Sequence, residues 1–239
     1  MRFLLFFLVY SFISLNTLSQ DSSSSISVTG KILIANAGFA PIPAFSFDSP
    51  LAIASLSVKK KRFSYEPDFS LGFNGRPWMG NNWFRYTFFQ KKKLRTNAGI
   101  NPSFFYKTDQ LATGEKISNA LRNLTFELVS EYKSTKHLSL TFTYMHIHAF
   151  DKGALSGDFF DCSSTVSGIG ISKNISVTIQ PELFYFDFEG KVDGFFTSTR
   201  ISVEHKKIPL SLHFQWVFPL WVDFPAGGFK WNTGLTYIF

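Results

Sequence analysis

Apolar and polar residues alternate one for one along most of this chain. In IPLSLHFQWVF, residues Ile208, Leu210, Leu212, Phe214, Trp216 and Phe218 share one face of an extended backbone, and Ser211, His213 and Gln215 share the other. Leu138, Leu140, Phe142 and Tyr144 divide in the same way from His137, Ser139, Thr141 and Thr143. So do Leu124, Phe126 and Leu128 from Asn123, Thr125 and Glu127, and Ile175, Val177 and Ile179 from Ser176, Thr178 and Gln180. Successive side chains leave a strand on opposite faces, so a period of two predicts strands, whereas a helix would scatter these residues around its circumference.

The breaks between segments follow a rule. Tight lysine-bearing turns occur at Lys59 to Lys61, Lys91 to Lys93, Lys133 to Lys136, Ser172 to Asn174 and His205 to Lys207. Between successive turns lie two alternating segments and a longer connection: Asn74 to Asn81, Lys107 to Asn119, Asp151 to Cys162, Glu189 to Asp193, and Pro219 to Gly228. About eleven strands are predicted from Leu51 to Phe239, and one more between Lys31 and Phe47 makes twelve, with 10–14 as the range. The expected fold is all-β, an antiparallel up-and-down transmembrane barrel over residues 31–239, since closing an even number of strands leaves no unpaired edge. Pro41 and Pro43 make the first strand the weakest, and Pro67, Pro102 and Pro181 predict bulges, because proline has no backbone donor.

Composition decides which face is outside. The 239 residues are 45% hydrophobic, and thirty of them are Phe. Twelve faces of large apolar side chains would overfill the inside of a closed barrel, so these faces are expected to meet lipid. Aromatic groups at Trp83 to Phe89, Leu183 to Phe188, Trp216 to Trp221 and Phe229 to Trp231 lie toward the long connections. Phe63, Tyr132, Tyr237 and Phe239 lie toward the lysine turns, and together these groups suggest two interfacial girdles. Residues 1–19 carry an early Arg2, an apolar run from Phe3 to Leu15 and small residues before Gln20, the pattern of a removed export signal. Residues 20–30 are expected to form a short disordered leader. Cys162 is the single cysteine, so no intrachain disulfide is possible.

The ending GLTYIF, with Leu235, Tyr237 and Phe239 two apart, resembles the C-terminal assembly signal of bacterial outer-membrane β-barrels. The resemblance implies the cell outer membrane as location, the barrel assembly machinery as a partner during insertion, and lipid and lipopolysaccharide as surroundings. It also implies periplasmic lysine turns and extracellular long loops. Of the 24 basic residues eleven are lysines in those turns, leaving 13 against 17 acids. The net charge of +7 therefore belongs to one rim and not to a nucleic-acid groove, and that rim suits anionic head groups or a periplasmic or envelope protein partner.

By parity the lumen receives Arg62, Glu66, Asp68, Arg85, Arg95, Glu127, Glu131, Arg200, Glu204, His213 and Lys230, which can either line a solute path or pair into a closed network. His137 and Ser139 have the spacing of the outer-membrane phospholipase pair, but the Asn-Gly that follows in that enzyme is missing and the pair sits beside a lysine turn. His146 and His148 share one side of a strand, and Asp151 or Asp161 is the possible third ligand of a metal. No catalytic residue, metal or cofactor is assigned on these grounds. Trp78 and Arg76 suggest either a contact patch for lipopolysaccharide or a partner, or a girdle position. Functionally the sequence favours a narrow channel for small polar or charged solutes. A non-conducting structural or assembly barrel comes second and a lipid-modifying enzyme third.

Overall fold

The computed structural model describes residues 25–39, 46–110, 116–225 and 228–239. They form twelve strands: β1 (Ser27–Ala35), β2 (Leu51–Lys60), β3 (Phe63–Gly72), β4 (Pro77–Gln90), β5 (Leu94–Gln110), β6 (Lys116–Lys133), β7 (Leu138–Ala149), β8 (Gly157–Gly170), β9 (Ile175–Phe188), β10 (Val192–His205), β11 (Leu210–Val222) and β12 (Lys230–Ile238). Each pairs antiparallel with its neighbours in sequence, and β1 closes the sheet on β12. Eleven strands lie from Leu51 onward, as the alternation predicts. The first begins at Ser27, inside the stretch assigned to a leader, because residues 27 to 30 pair with Lys59 to Leu56 of β2 and so gain ladder bonds despite their polar composition. Residues 1–19, Pro41 and Pro43 lie outside the described residues.

Pro67, Pro102 and Pro181 do not make bulges. Pairing skips from Ser55↔Asp68 to Val58↔Tyr65 beside Pro67, from Asn81↔Ser103 to Phe84↔Ile100 beside Pro102, and from Ser163↔Glu182 to Val166↔Ile179 beside Pro181. Each proline thus opens a gap toward the preceding strand while the register is kept, since the missing N–H removes a ladder bond without adding a residue. Register shifts fall elsewhere, near Phe69, Thr87, Val166 and Phe195.

The two faces of the wall are inverted relative to a soluble protein. Phe84, Phe126, Phe142, Phe214, Trp231 and Tyr237 are exposed on the outside, while Asn101, Thr125, Glu127, Ser163, Ser198 and His213 are buried on the inside. Such a continuous apolar exterior is tolerated only in hydrocarbon, where backbone groups must be satisfied within a closed sheet. The five lysine turns lie together at one end, with the chain's last residue.

Two departures from the expected girdles appear on the inner face. Phe184, Phe186 and Phe188 point inward and are almost fully buried with Phe159 and Phe196. The rings of Phe184 and Phe196 stack at 5.2 Å, and those of Phe186 and Phe196 at 5.4 Å. This plug fills the β8–β10 side of the lumen toward the long connections. Trp78 is neither a contact patch nor a girdle residue: it is 2% exposed, packed with Ala35 and Leu51 and against Phe47. A shift in register between β3 and β4 beside Phe69 turns it inward.

A candidate solute path through the lumen

Arg85 of β4, Gly99 of β5 and Glu127 of β6 are direct cross-strand partners in one row. Gly99 has no side chain, so Arg85 reaches across β5 and binds Glu127 with two bonds, Nε to Oε1 at 2.8 Å and Nη2 to Oε2 at 2.9 Å. Such fork-to-carboxylate pairing fixes both groups. The remaining nitrogen, Nη1, donates to Glu66 of β3 at 2.5 Å, and Lys59 of β2 stands 3.6 Å from the same carboxylate. Trp83 supports the guanidinium from one face, its ring 4.2 Å away. One arginine therefore ties two acids over four strands, and the Glu127 side chain is only 2% exposed.

Neighbouring polar side chains are also joined. Asn81 donates to Asp68 at 2.9 Å and accepts from Asn101 at 3.0 Å. Arg95 donates to Asn97 at 3.2 Å, which in turn accepts from Thr87 at 2.7 Å. Glu131 lies opposite Arg95 in the register. Across the barrel Arg200 gives Nε and Nη2 to the Gln215 carbonyl at 3.1 and 2.7 Å, and Gln215 donates to Ser198 at 3.2 Å. His213 is buried opposite Gly234, and Lys230 stands 3.8 Å from Asp48. Arg62 lies in the β2–β3 turn, where its carbonyl accepts from the Thr87 N–H at 2.8 Å. Glu204 is exposed near the lysine end of β10.

Sequence reasoning did not single out Asp161 and Glu182 as a pair. Both face inward, and Glu182 interacts with Asp161, Ser198 and Arg200. Parity along β8 and β9 contains this signal, but the phenylalanines sharing the inner face of β9 conceal it.

Away from this network, His137 and His146 fall into other company. The Nδ1 of His137 meets the Ser167 carbonyl at 3.0 Å. His146 faces outward and meets Asp158 at 3.0 Å, and Tyr144 donates to the same carboxylate at 2.7 Å. Asp151 is held by Arg122, through the backbone N–H at 2.7 Å and through Nε and Nη2 at 3.1 and 2.7 Å. The side-chain bonds to Arg122, then its backbone bond, draw the Asp151 carboxyl down to about 2. In the β9–β10 turn, the Lys191 ammonium lowers Glu189 in the same sense.

A cavity of about 590 Å³ opens inside the barrel on its β4–β7 side, toward the long connections. Its floor includes Asn81, Asn101 and Thr125, one step in the register from the Arg85–Glu127 tie. Phe159 and Phe188 of the plug form its far wall.

By fold the chain is an outer-membrane β-barrel: closed, even-stranded, antiparallel, apolar outside and polar within. No family model and no curated protein sequence matches it. Among solved structures it is similar to the KdgM porin, with a TM-score of 0.55 and 10% identity over 87% of this chain and 98% of that one. It is also similar to the NanC porin, with a TM-score of 0.53 and 8% identity over 88% and 99% of the two chains. An outer membrane channel from Pseudomonas putida F1 superposes with a TM-score of 0.50 and 10% identity, over 92% of this chain and 96% of that one.

Proposed function

We propose that the protein is a narrow channel of the bacterial outer membrane that passes small polar or charged solutes. The observation that carries this reading is the Glu66–Arg85–Glu127 tie, ionised groups set across the inner wall beneath a cavity that opens toward the long loops. Charges enclosed by a lipid-facing wall are costly and typically mark a solute or ion pathway. The likeness in fold to two porins and a channel supports the same conclusion. One of those porins, KdgM, has been seen with disordered oligogalacturonate.

In this reading Arg85 and Arg200, on opposite walls, are the groups a passing solute meets with Glu66 and Glu182, and Glu127 holds Arg85 in place from behind. The lysine turns face the periplasm and the anionic head groups of the inner leaflet, the long loops meet lipopolysaccharide, and Leu235, Tyr237 and Phe239 serve recognition by the assembly machinery.

Planar-bilayer recording tests the channel. Steady unitary steps are expected, with cation preference rising by about twofold in Arg200→Gln, because the pore then loses a positive charge. The phenylalanine plug favours a second reading, a closed barrel with a structural role in the envelope. A wild-type protein that is correctly folded, gives no steps and co-purifies with other envelope proteins would establish that role instead.

A further inference from the structure

The cavity above the Arg85 tie has a lining unlike that of a path for small ions. Apolar side chains make most of its wall, the half-buried Phe47, Met79, Phe105, Met145 and Leu155 among them with Trp78, Phe159 and Phe188 buried behind, and its volume of about 590 Å³ is that of a site enclosing a small organic molecule. Its wall is set in advance. Trp78 is wedged between Gly38, where any side chain would strike the indole, and Phe47, whose ring lies 6.1 Å away.

Its polar groups are divided by depth. On the floor, the amides of Asn81 and Asn101 are spent on one another, on Asp68 and on the Asn82 N–H, so they offer a ligand little. The charged lining residues are Arg76, in the β3–β4 connection, and Lys107, near the loop end of β5, and the described lining contains no Asp or Glu. An apolar chamber with the Arg76 guanidinium at its mouth matches one kind of molecule.

We propose that this cavity binds a small amphipathic organic anion: an aromatic or aliphatic body lying against the half-buried Phe105 and Met145, with a single carboxylate toward Arg76 and Lys107. This inference deepens the channel reading, on which it rests, by naming the class of solute admitted. A free sugar would find too few available donors and acceptors on the apolar wall, since a buried hydroxyl without a partner opposes binding. A cation would face the Arg76 guanidinium at the entrance.

The test is equilibrium dialysis of the detergent-folded full chain against three probes sharing one body: 2-naphthoate, its neutral amide, and 2-naphthylmethylammonium. Empty micelles serve as the blank. Saturable binding of one naphthoate per chain is expected, with the ammonium no better than the blank. Arg76→Gln with Lys107→Gln should weaken naphthoate binding about tenfold. Ala154→Trp, on the loop lining the cavity, should fill the chamber and abolish binding. Arg76→Gln alone, at an exposed loop position, gives a smaller loss in the same direction if the double variant fails to fold. Equal uptake of all three probes, or naphthoate binding that survives Ala154→Trp in a folded barrel, would overturn the site. A protein that binds naphthoate but gives no bilayer steps refutes the channel and leaves the site, whereas one that conducts without binding naphthoate refutes the site alone.

Discussion

Arg85 shows how much one side chain can depend on a residue that has none. It reaches Glu127 only because Gly99 lies between them, where an added Cβ would come within 3.0 Å of Glu127 Oε1 and 3.2 Å of Arg85 Cγ. Arg85→Met would leave the Glu127 carboxylate enclosed without its counter-charge, and breaking such a pair costs about 3–5 kcal/mol. The loss should appear as a lower urea midpoint for unfolding in lipid or detergent. Arg85→Met with Glu127→Met should recover a large part of it, and a double variant as unstable as the sum of the two single ones would contradict the tie. A different outcome is expected of Asp151, at the loop end. Its folded carboxyl is depressed to about 2, below the roughly 3.9 of an unfolded chain. The clasp on Arg122 therefore contributes fully above the unfolded value and is lost as pH falls through the folded one. At neutral pH, Asp151→Asn should make the β7–β8 connection easier to cleave in limited proteolysis, and unchanged cleavage would argue against the clasp.

Among the elements, the seam between β1 and β12 is the one closure that neighbouring strands in sequence cannot make. Phe239 donates to and accepts from the Gly30 backbone at 2.9 and 2.8 Å, and its ring lies where a Gly30 side chain would stand. Gly30→Val should therefore displace the ring and lower stability by about 1–3 kcal/mol, the usual range for overpacking. Pairing it with Phe239→Ala should relieve the clash, as read from the folded fraction on an unboiled denaturing gel. If Gly30→Val folds as well as wild type, the ring does not pack there. The other strands tolerate irregularity more easily. Pro67, Pro102 and Pro181 each remove pairing toward one neighbour while the other ladder continues, opposite Asn82, Leu124 and Thr199.

For the whole molecule the decisive property is an apolar outside around a polar and aromatic inside. A barrel of this kind keeps its fold in detergent at room temperature and unfolds when boiled, so the two samples should migrate differently on a gel. Equal migration would count against a closed barrel. The plug makes a further prediction at this scale. Phe196 touches both Phe184 and Phe186, so Phe196→Ala should widen the lumen and raise single-channel conductance by about twofold. A conductance that stays the same would mean that the plug does not limit the path.

The alternation of side chains, the lysine turns and the count of segments were enough to indicate about twelve strands and their closure, because each follows from local periodicity and turn chemistry, and the amount of large apolar side chain decided the outward face. Parity also selected Arg85, Glu66, Glu127 and Arg200 as inward. Which of them meet was decided by register, a relation between strands up to 42 residues apart in the case of Arg85 and Glu127. Local pattern contains no such distance. The inward turn of Phe184, Phe186 and Phe188 was present in the parity of β9, which they share with Thr178 and Gln180, but their hydrophobicity suggested lipid, and only the packing against Phe159 and Phe196 made them a plug. Trp78 moved from surface to interior through a single irregularity in pairing, which depends on how two strands fit together and not on the residues of either one.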